Sequence, residues 1–343
     1  MSVPVTSDIP TSMDAQPTAA DNERRKAMSI IINRYNDKLT TLPKEKGWLT
    51  ENLRLYEGFW QESIRVISVL TLMASQDSFQ AQPTDIYVAT LQKAGTTWLK
   101  ALAFAIVNRT RYKNSSLSSH PLQILNPHKC VPYIEMESLR TLPSYADGQS
   151  PRLFSTHIPY TSLPQSILDN ECRVVYMCRN PKDVFVSLFH YANKLRDKSL
   201  AQMRFEEAFE MFSNGLIPGG PYWDHVKGYY KAAIERPSKI LFLTYEDMQK
   251  DSVNNVKRLA EFMGYPFTEE EESKGVVQEI VALCSFENMR EVNKHGILAE
   301  GVRNDVFFRE GKTGDWTNHL TNEMSQILDQ ITKEKFDGLD ISF

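Results

Sequence analysis

One stretch constrains this 343-residue chain more than any other: residues 86–100, Ile-Tyr-Val-Ala-Thr-Leu-Gln-Lys-Ala-Gly-Thr-Thr-Trp-Leu-Lys. An apolar, β-branched run leads into a turn holding Lys93 and Gly95. Thr96 and Thr97 then open an amphipathic helical pattern from Trp98 to about Asn108. A strand, a tight loop and a helix N-terminus in this order gather free backbone N–H groups and the positive end of a helix dipole around one point. Lys93 adds a full charge and the threonines add hydroxyl donors, so the expected ligand is a phosphate or a sulfate. The spacing is not that of the nucleotide-triphosphatase loop G-x-x-x-x-G-K-[ST], because here the lysine precedes the glycine and the loop has no second glycine upstream.

The remaining composition narrows the setting. With 41% hydrophobic and 24% charged residues, the chain can bury one large core or two modest ones. A net charge of −4 gives no hint of nucleic-acid or membrane binding, so any polyanion must be held by a local cluster. The four cysteines (Cys130, Cys172, Cys178, Cys284) lack C-x-x-C pairing, and the histidines near them offer no zinc spacing. They read as buried free thiols of a reducing compartment, with no metal site. The apolar patch from Ile64 to Ala74 contains Arg65 and Ser68 and is too short to span a bilayer. No signal-peptide core is visible at the N-terminus, so a cytoplasmic location is expected. Residues 1–22, rich in Ser, Thr, Pro, Ala and Asp, read as a disordered tail, and 23–343 as a single domain.

Further strands are expected at residues 152–156, 173–178 and 239–244, each a short apolar run followed by a loop or cap signal and then a helical period. This alternation argues for an α/β fold with a parallel sheet and active loops at the strand C-terminal ends. Chemistry-bearing residues stand at those ends. Thr156-His157-Ile158-Pro159 follows one strand. Arg179-Asn180-Pro181-Lys182-Asp183 follows another and starts a helix on which Ser187 lies two turns along, a possible second anion site. Tyr245 follows the last strand. Later come residues 284–289, Cys-Ser-Phe-Glu-Asn-Met, and then Arg309-Glu310-Gly311-Lys312-Thr313-Gly314-Asp315-Trp316, where a guanidinium and backbone N–H groups could wrap a phosphate. The stretch from Asn114 to Ser150 reads as substrate-facing loops with short helices.

In this order the motifs closely resemble those of the plant-type cytosolic sulfotransferases, and the likeness runs from about Leu42 to Phe336. The resemblance implies a P-loop-like α/β fold with a central five-stranded parallel sheet flanked by helices. It also implies transfer of a sulfuryl group from 3′-phosphoadenosine-5′-phosphosulfate (PAPS) to a small hydroxylated acceptor, leaving 3′-phosphoadenosine-5′-phosphate (PAP), without a metal. By the same resemblance Lys93, Ala94, Gly95, Thr96, Thr97 and Trp98 cradle the 5′ group, with Trp98 near the adenine. Arg179 and Ser187 match the 3′-phosphate site, joined by Arg309 and Gly311, with Glu310 between them in the cofactor-binding segment. Tyr245 and the segment Cys284, Ser285, Phe286, Glu287, Asn288 and Met289 match adenosine contacts, with Phe286 as the second stacking face. His157 matches the catalytic base, a task that suits a histidine near its free pKa, and Lys93 the group that neutralises the leaving oxygen. Tyr133, Tyr160, Phe189 and Tyr191 are expected around the acceptor, where aromatic walls suit flat phenolic or steroidal molecules. Hormones and glucosinolate precursors are equally open.

The chain departs from the family pattern at four positions. Gln92 replaces the usual proline before the lysine, and Ala94 replaces the usual hydroxyl or thiol residue after it. Ser155 stands where many animal members have lysine. Glu310 replaces the lysine of Arg-Lys-Gly, and a glutamate beside a phosphate is unfavourable unless its side chain points to solvent. The segment 317–323, Thr-Asn-His-Leu-Thr-Asn-Glu, lacks the lysine and valine of the animal dimer motif, so a monomer or weak homodimer is expected. Two other readings compete: a nucleotide kinase on the same general fold, for which Gly311-Lys312-Thr313 lacks an upstream strand and glycine, and a non-catalytic protein that retains the binding fold.

Overall fold

The structure is a computed structural model and describes residues 19–63, 67–112, 120–139, 148, 150–296, 298 and 302–343. The chain opens with helix α1 (Ala19–Thr41), so residues 19–22 are helical rather than part of a tail, and the rest of the expected tail lies outside the described residues. Helix α1 stops before Pro43, because the residue preceding a proline is pushed out of the helical region. A three-stranded antiparallel sheet follows, β1 (Lys44–Lys46), β2 (Asn52–Tyr56) and β3 (Phe59–Glu62), and then α2 (Val69–Ser78).

Strand β4 (Ile86–Thr90) is buried on both faces, as the near-continuous apolar run requires in a parallel sheet covered on both sides. It leads into α3 (Thr96–Asn108) and, beyond the short α4 (Pro127–Cys130), pairs with β5 (Leu153–Thr156). After α5 (Gln165–Asp169) comes β6 (Arg173–Cys178), which pairs with β4 on its other side. Helices α6 (Pro181–Leu195), α7 (Phe205–Ser213) and α8 (Tyr222–Glu235) precede β7 (Ile240–Thr244), and the parallel order is β5-β4-β6-β7. The C-terminal part is helical: α9 (Tyr245–Lys250), α10 (Ser252–Met263), α11 (Glu269–Ser273), α12 (Val276–Leu283), α13 (Phe286–Val292) and α14 (Asn322–Lys335).

Alternation along β4 divides the interior. Tyr87 and Ala89 join a core with α2, α6 and α8, whereas Ile86 and Val88 join one with α3, α10 and α12. The sheet has four strands among the described residues, not the five implied by resemblance. A single parallel bridge, Tyr133 to Ser155, extends it at the β5 edge, where the Ser155 N–H donates to the Pro132 carbonyl at 2.8 Å. Pro132 has no N–H to continue a ladder, and residues Ile134–Leu139 at once wind into a 3-10 helix.

Candidate active site

The C-terminal ends of the parallel strands β4, β5, β6 and β7 share one edge of the sheet, and Lys93, His157, Arg179 and Tyr245 stand just after them. Between β4 and α3 the loop is wound tightly: Lys93 has φ 70° and Gly95 has φ 100°. A Cβ on Gly95 would stand 2.5 Å from Met177 Cε and 2.7 Å from the Tyr245 ring, so only glycine lets the loop press against the β6 end and Tyr245. A left-handed lysine costs on the order of 1–3 kcal/mol, strain of the kind found in ligand clamps. Ala94 is fully buried in this turn and its N–H donates to the Leu91 carbonyl at 3.2 Å.

Neither of the two threonine hydroxyls expected to face the anion is unpartnered. Thr96 Oγ1 is 2.7 Å from Thr90 Oγ1, and Thr97 Oγ1 is 3.2 Å from His128 Nε2. When the imidazole N–H donates to it, the Thr97 hydroxyl keeps its own hydrogen for a ligand. Lys93 Nζ rests 4.2 Å from the centre of the Tyr191 ring. Burial, then the positive Arg179, Arg309 and Lys194, pull its pKa down to about 7, so the lysine expected to carry a full charge is only partly protonated at neutral pH.

The second cluster joins β6, α6, β7 and the segment after α13. Buried Arg179 donates from Nη2 to the Lys312 carbonyl, lies 3.7 Å from Asp183, and sits 4.5 Å over the Tyr245 ring. Asp183 in turn accepts the N–H groups of Gly314 at 2.7 Å and Trp316 at 3.1 Å, which ties this segment to the start of α6; Ser187 is buried one turn further along. Arg309 Nη1 donates to Asp315 Oδ2 at 2.6 Å. Two guanidinium donors, Arg179 Nε and Arg309 Nε, are buried without any partner among the described residues. Such orphaned donors are costly unless an acceptor arrives, and a phosphate fits them. Glu310 is exposed, so its charge faces solvent rather than this cluster.

Gly311, with φ 67°, accepts the Tyr245 hydroxyl at 3.1 Å, and a Cβ there would lie 2.3 Å from the Phe286 ring. Trp98 packs edge-on against Tyr245, with ring centres 5.3 Å apart. Trp98, Tyr245, Gly311 and Phe286 are therefore one contiguous group. Within residues 284–289 the roles differ: Cys284 and Met289 are core, Glu287 points to solvent, and Ser285 and Asn288 hold the start of α13. Gly311-Lys312-Thr313 is not a nucleotide-triphosphatase loop, since the element before it is the 3-10 turn Asn304–Phe307 rather than a strand, and only a short 3-10 turn, Asp315–Asn318, follows Gly314.

At the end of β5, His157 Nδ1 donates to the Thr90 carbonyl at 2.7 Å, which leaves Nε2 as the basic nitrogen. Its backbone is held from two sides: the N–H donates to Glu135 Oε1 at 2.7 Å, and the carbonyl lies 3.2 Å from Nε2 of fully buried His225. The pKa is not near its free value. Burial, and then Lys100, His225 and Lys93, hold it down at about 3, partly opposed by the bond to Thr90. Tyr133 lies 5.0 Å from the His157 ring and stacks on His128, which in turn lies 4.5 Å from Phe307; Tyr191 meets Phe307 at 6.0 Å.

Of the four residues expected around the acceptor, Phe189 and Tyr160 make ring contacts with α7 and α8. Phe189 packs on Phe205 of α7, because two residues along a helix turn about 200° away from Tyr191. Tyr160 packs edge-on against Tyr229 of α8. Conversely, sequence reasoning passed over Lys100, fully buried in α3, whose Nζ lies 3.0 Å from His128 Nδ1 and 3.3 Å over the Tyr133 ring. A lysine inside the apolar period of α3 was the available signal, as was an acid, Glu135, in an apolar run. Among the described residues no cluster of His, Cys, Asp or Glu could hold a metal, and no helix is long and apolar enough to cross a membrane.

A family model for the sulfotransferase domain matches residues 83–340, three quarters of the chain. The chain belongs to the sulfotransferase family. Among its relatives, cytosolic sulfotransferase 15 of Arabidopsis thaliana is 41% identical over 90% of this chain and 87% of the relative. Flavonol 4′-sulfotransferase of Flaveria chlorifolia is 45% identical over 84% of this chain and 89% of the relative. The crystal structure of a mouse sulfotransferase complexed with PAP superposes with a TM-score of 0.62, at 26% identity, over 84% of this chain and 95% of that one. These likenesses make the chain a sulfotransferase of the plant cytosolic type, an enzyme, and set aside the kinase and non-catalytic readings.

Proposed function

We propose that this sulfotransferase moves a sulfuryl group from PAPS to the phenolic hydroxyl of a small flat acceptor, with His157 as general base. The observation that carries the donor assignment is the pair of buried, unpartnered donors, Arg179 Nε and Arg309 Nε, beside a complete anion loop at Lys93. Two separate anion sites suit a nucleotide with phosphates at two positions, and a mouse relative is described in complex with PAP. Bound PAPS supplies the sulfuryl group on a bridging oxygen that leaves as part of PAP.

Lys93, the Gly95–Thr97 turn and the N-terminus of α3 hold the 5′ group in line and offset charge on the leaving oxygen. Trp98, Tyr245 and Phe286 hold the adenine end, and Arg179, Ser187, Arg309 and the Gly311 backbone hold the 3′-phosphate. His157 Nε2 takes the acceptor's proton while Nδ1–H stays on Thr90. A buried imidazole with so low a pKa is a weak base, and an acidic hydroxyl asks least of it. Tyr133, Tyr191, His128 and Phe307 give an aromatic wall for the acceptor, and a relative of 45% identity is named for a flavonol.

Labelled sulfuryl transfer from PAPS to a panel of flavonols, simple phenols and aliphatic alcohols tests both halves. Transfer to phenols, at least tenfold faster than to alcohols and lost in His157→Ala, is the expected result. Equal rates with alcohols would remove the acceptor assignment, and a His157→Ala variant retaining more than about a tenth of its activity would remove the base.

A further inference from the structure

The contact that holds the base is itself unexplained by packing. Glu135, only 1% exposed, comes from the 3-10 helix Ile134–Leu139 and places Oε1 2.7 Å from the His157 N–H and 3.1 Å from Thr156 Oγ1. Thr156 Oγ1 then accepts the Ile158 N–H at 2.9 Å, so one carboxylate oxygen organises three successive residues. Its other oxygen, Oε2, is buried with no hydrogen-bond partner among the described residues. A carboxylate oxygen buried without a partner is costly, and most costly when the group is ionised.

We propose that Glu135 is a positioning residue for sulfuryl transfer, fixing the His157 turn and supplying the negative charge that stabilises the imidazolium formed when His157 accepts a proton. The step balances simply. The acceptor oxygen keeps its O–H electron pair and bonds to sulfur, the proton goes to His157 Nε2, and the pair of the broken S–O bond departs with PAP. His157 then returns the proton to solvent. During that interval the protein holds a buried cation, and the other ionisable groups around it are unsuited to balance it. Lys93 in the loop and Lys100 in α3 are basic, and His128 and His225 are neutral imidazoles. Tyr133 and Tyr229 are phenols that burial keeps protonated. Glu135 is the one carboxylate that touches the His157 turn among the described residues. Burial pushes its own pKa up to about 7, against the pull of the His157 N–H, the Thr156 hydroxyl and Lys100. Its charge therefore comes and goes across neutral pH, and added positive charge nearby, Lys100 in the resting site and the imidazolium during the reaction, favours the ionised form.

This inference rests on His157 being the base, and the test separates the two. Glu135→Gln keeps an oxygen for the N–H and Thr156 but carries no charge; Glu135→Asp keeps the charge and moves it by one methylene. In wild type, kcat with a phenolic acceptor should rise through a limb near pH 7. In Glu135→Gln, kcat should fall about ten- to a hundredfold at pH 8, the limb should vanish, and PAP affinity and acceptor KM should stay within about twofold. Glu135→Asp should be slower but retain a limb. The absence of a limb in wild type, or turnover of Glu135→Gln within twofold of wild type at every pH, would overturn the role of Glu135. A loss in Glu135→Gln shared equally by kcat, PAP affinity and thermal midpoint would reduce it to a structural contact. Should His157→Ala remain active, the base assignment falls independently of these results.

Discussion

The two ends of the active site are built differently. The donor end is assembled from charges and backbone: Lys93 and Gly95 in left-handed turns, Arg179 and Arg309 with carboxylate neighbours at 3.7 and 2.6 Å, and Gly311 pressed on Phe286. The acceptor end is assembled from rings and buried ionisable groups: His157, Tyr133, His128, Lys100 and Glu135. An anion arriving at the first end finds formal charges and orphaned donors, whereas a proton moving at the second meets a low-dielectric setting in which every pKa has already been displaced. Recognition and chemistry are thus separated across one loop, with Lys93 belonging to both.

The sharpest way to break this division is Lys93→Ala. If Lys93 acts on the leaving oxygen, turnover should fall about 10²–10³-fold, the scale of losing one charge-stabilising donor, while PAP affinity falls less than tenfold. Equal losses, read from steady-state kinetics and calorimetry, would make it an anchor of the donor end only.

Arg179→Ala addresses recognition alone. PAP should bind the wild type at least tenfold more tightly than AMP, and the variant should lose most of that difference, since a charge-assisted bond is worth about 1.5–3 kcal/mol. Titration of both nucleotides decides it, and equal binding of AMP and PAP to the wild type would dissolve the second anion site.

A smaller effect sharpens the part Lys93 plays in both ends. With a pKa of about 7 in the free protein, Lys93 is largely neutral at pH 8. A phosphate beside it favours the charged form, so binding raises the pKa and takes up a proton; affinity for PAP should weaken as pH rises above 7. Calorimetry at pH 8 in two buffers of different ionisation enthalpy should report uptake approaching about one proton, absent in Lys93→Ala.

The smallest expected change is Glu310→Lys. Because Glu310 is exposed, restoring the family lysine should improve PAP affinity by no more than about threefold, and less at high salt. A tenfold gain would mean that the glutamate faces the phosphate after all.

Much of the donor end was legible because it is local or punctuated. Residues 86–100 contain their own strand, turn and helix start, and the turn chemistry of Gly95 is written in the sequence. The strand at 173–178 appears with the bounds expected, and a helix follows with Pro181 in its first turn, as expected, capped by the Asn180 side chain. The small antiparallel sheet β1–β3 was missed because its register depends on contacts with other segments, such as the bond from the Trp60 N–H to the Gly220 carbonyl at 2.7 Å. The ring partners of Phe189 and Tyr160 were hidden for a similar reason: an aromatic residue packs on whichever neighbour the fold presents, and that neighbour is not written beside it.

What the sequence determined by itself is the order of strand ends and the charges placed on them, since hydrogen bonding, helix dipoles and glycine's φ freedom act over a few residues. What only the tertiary structure decided is the state of those groups. The pKa of Lys93 at about 7, that of His157 at about 3 and that of Glu135 at about 7 arise from burial and from charges brought together by distant segments. Desolvation and Coulomb interactions depend on what surrounds a group in space, and residues 93, 135 and 157 become neighbours only when the sheet has closed around them.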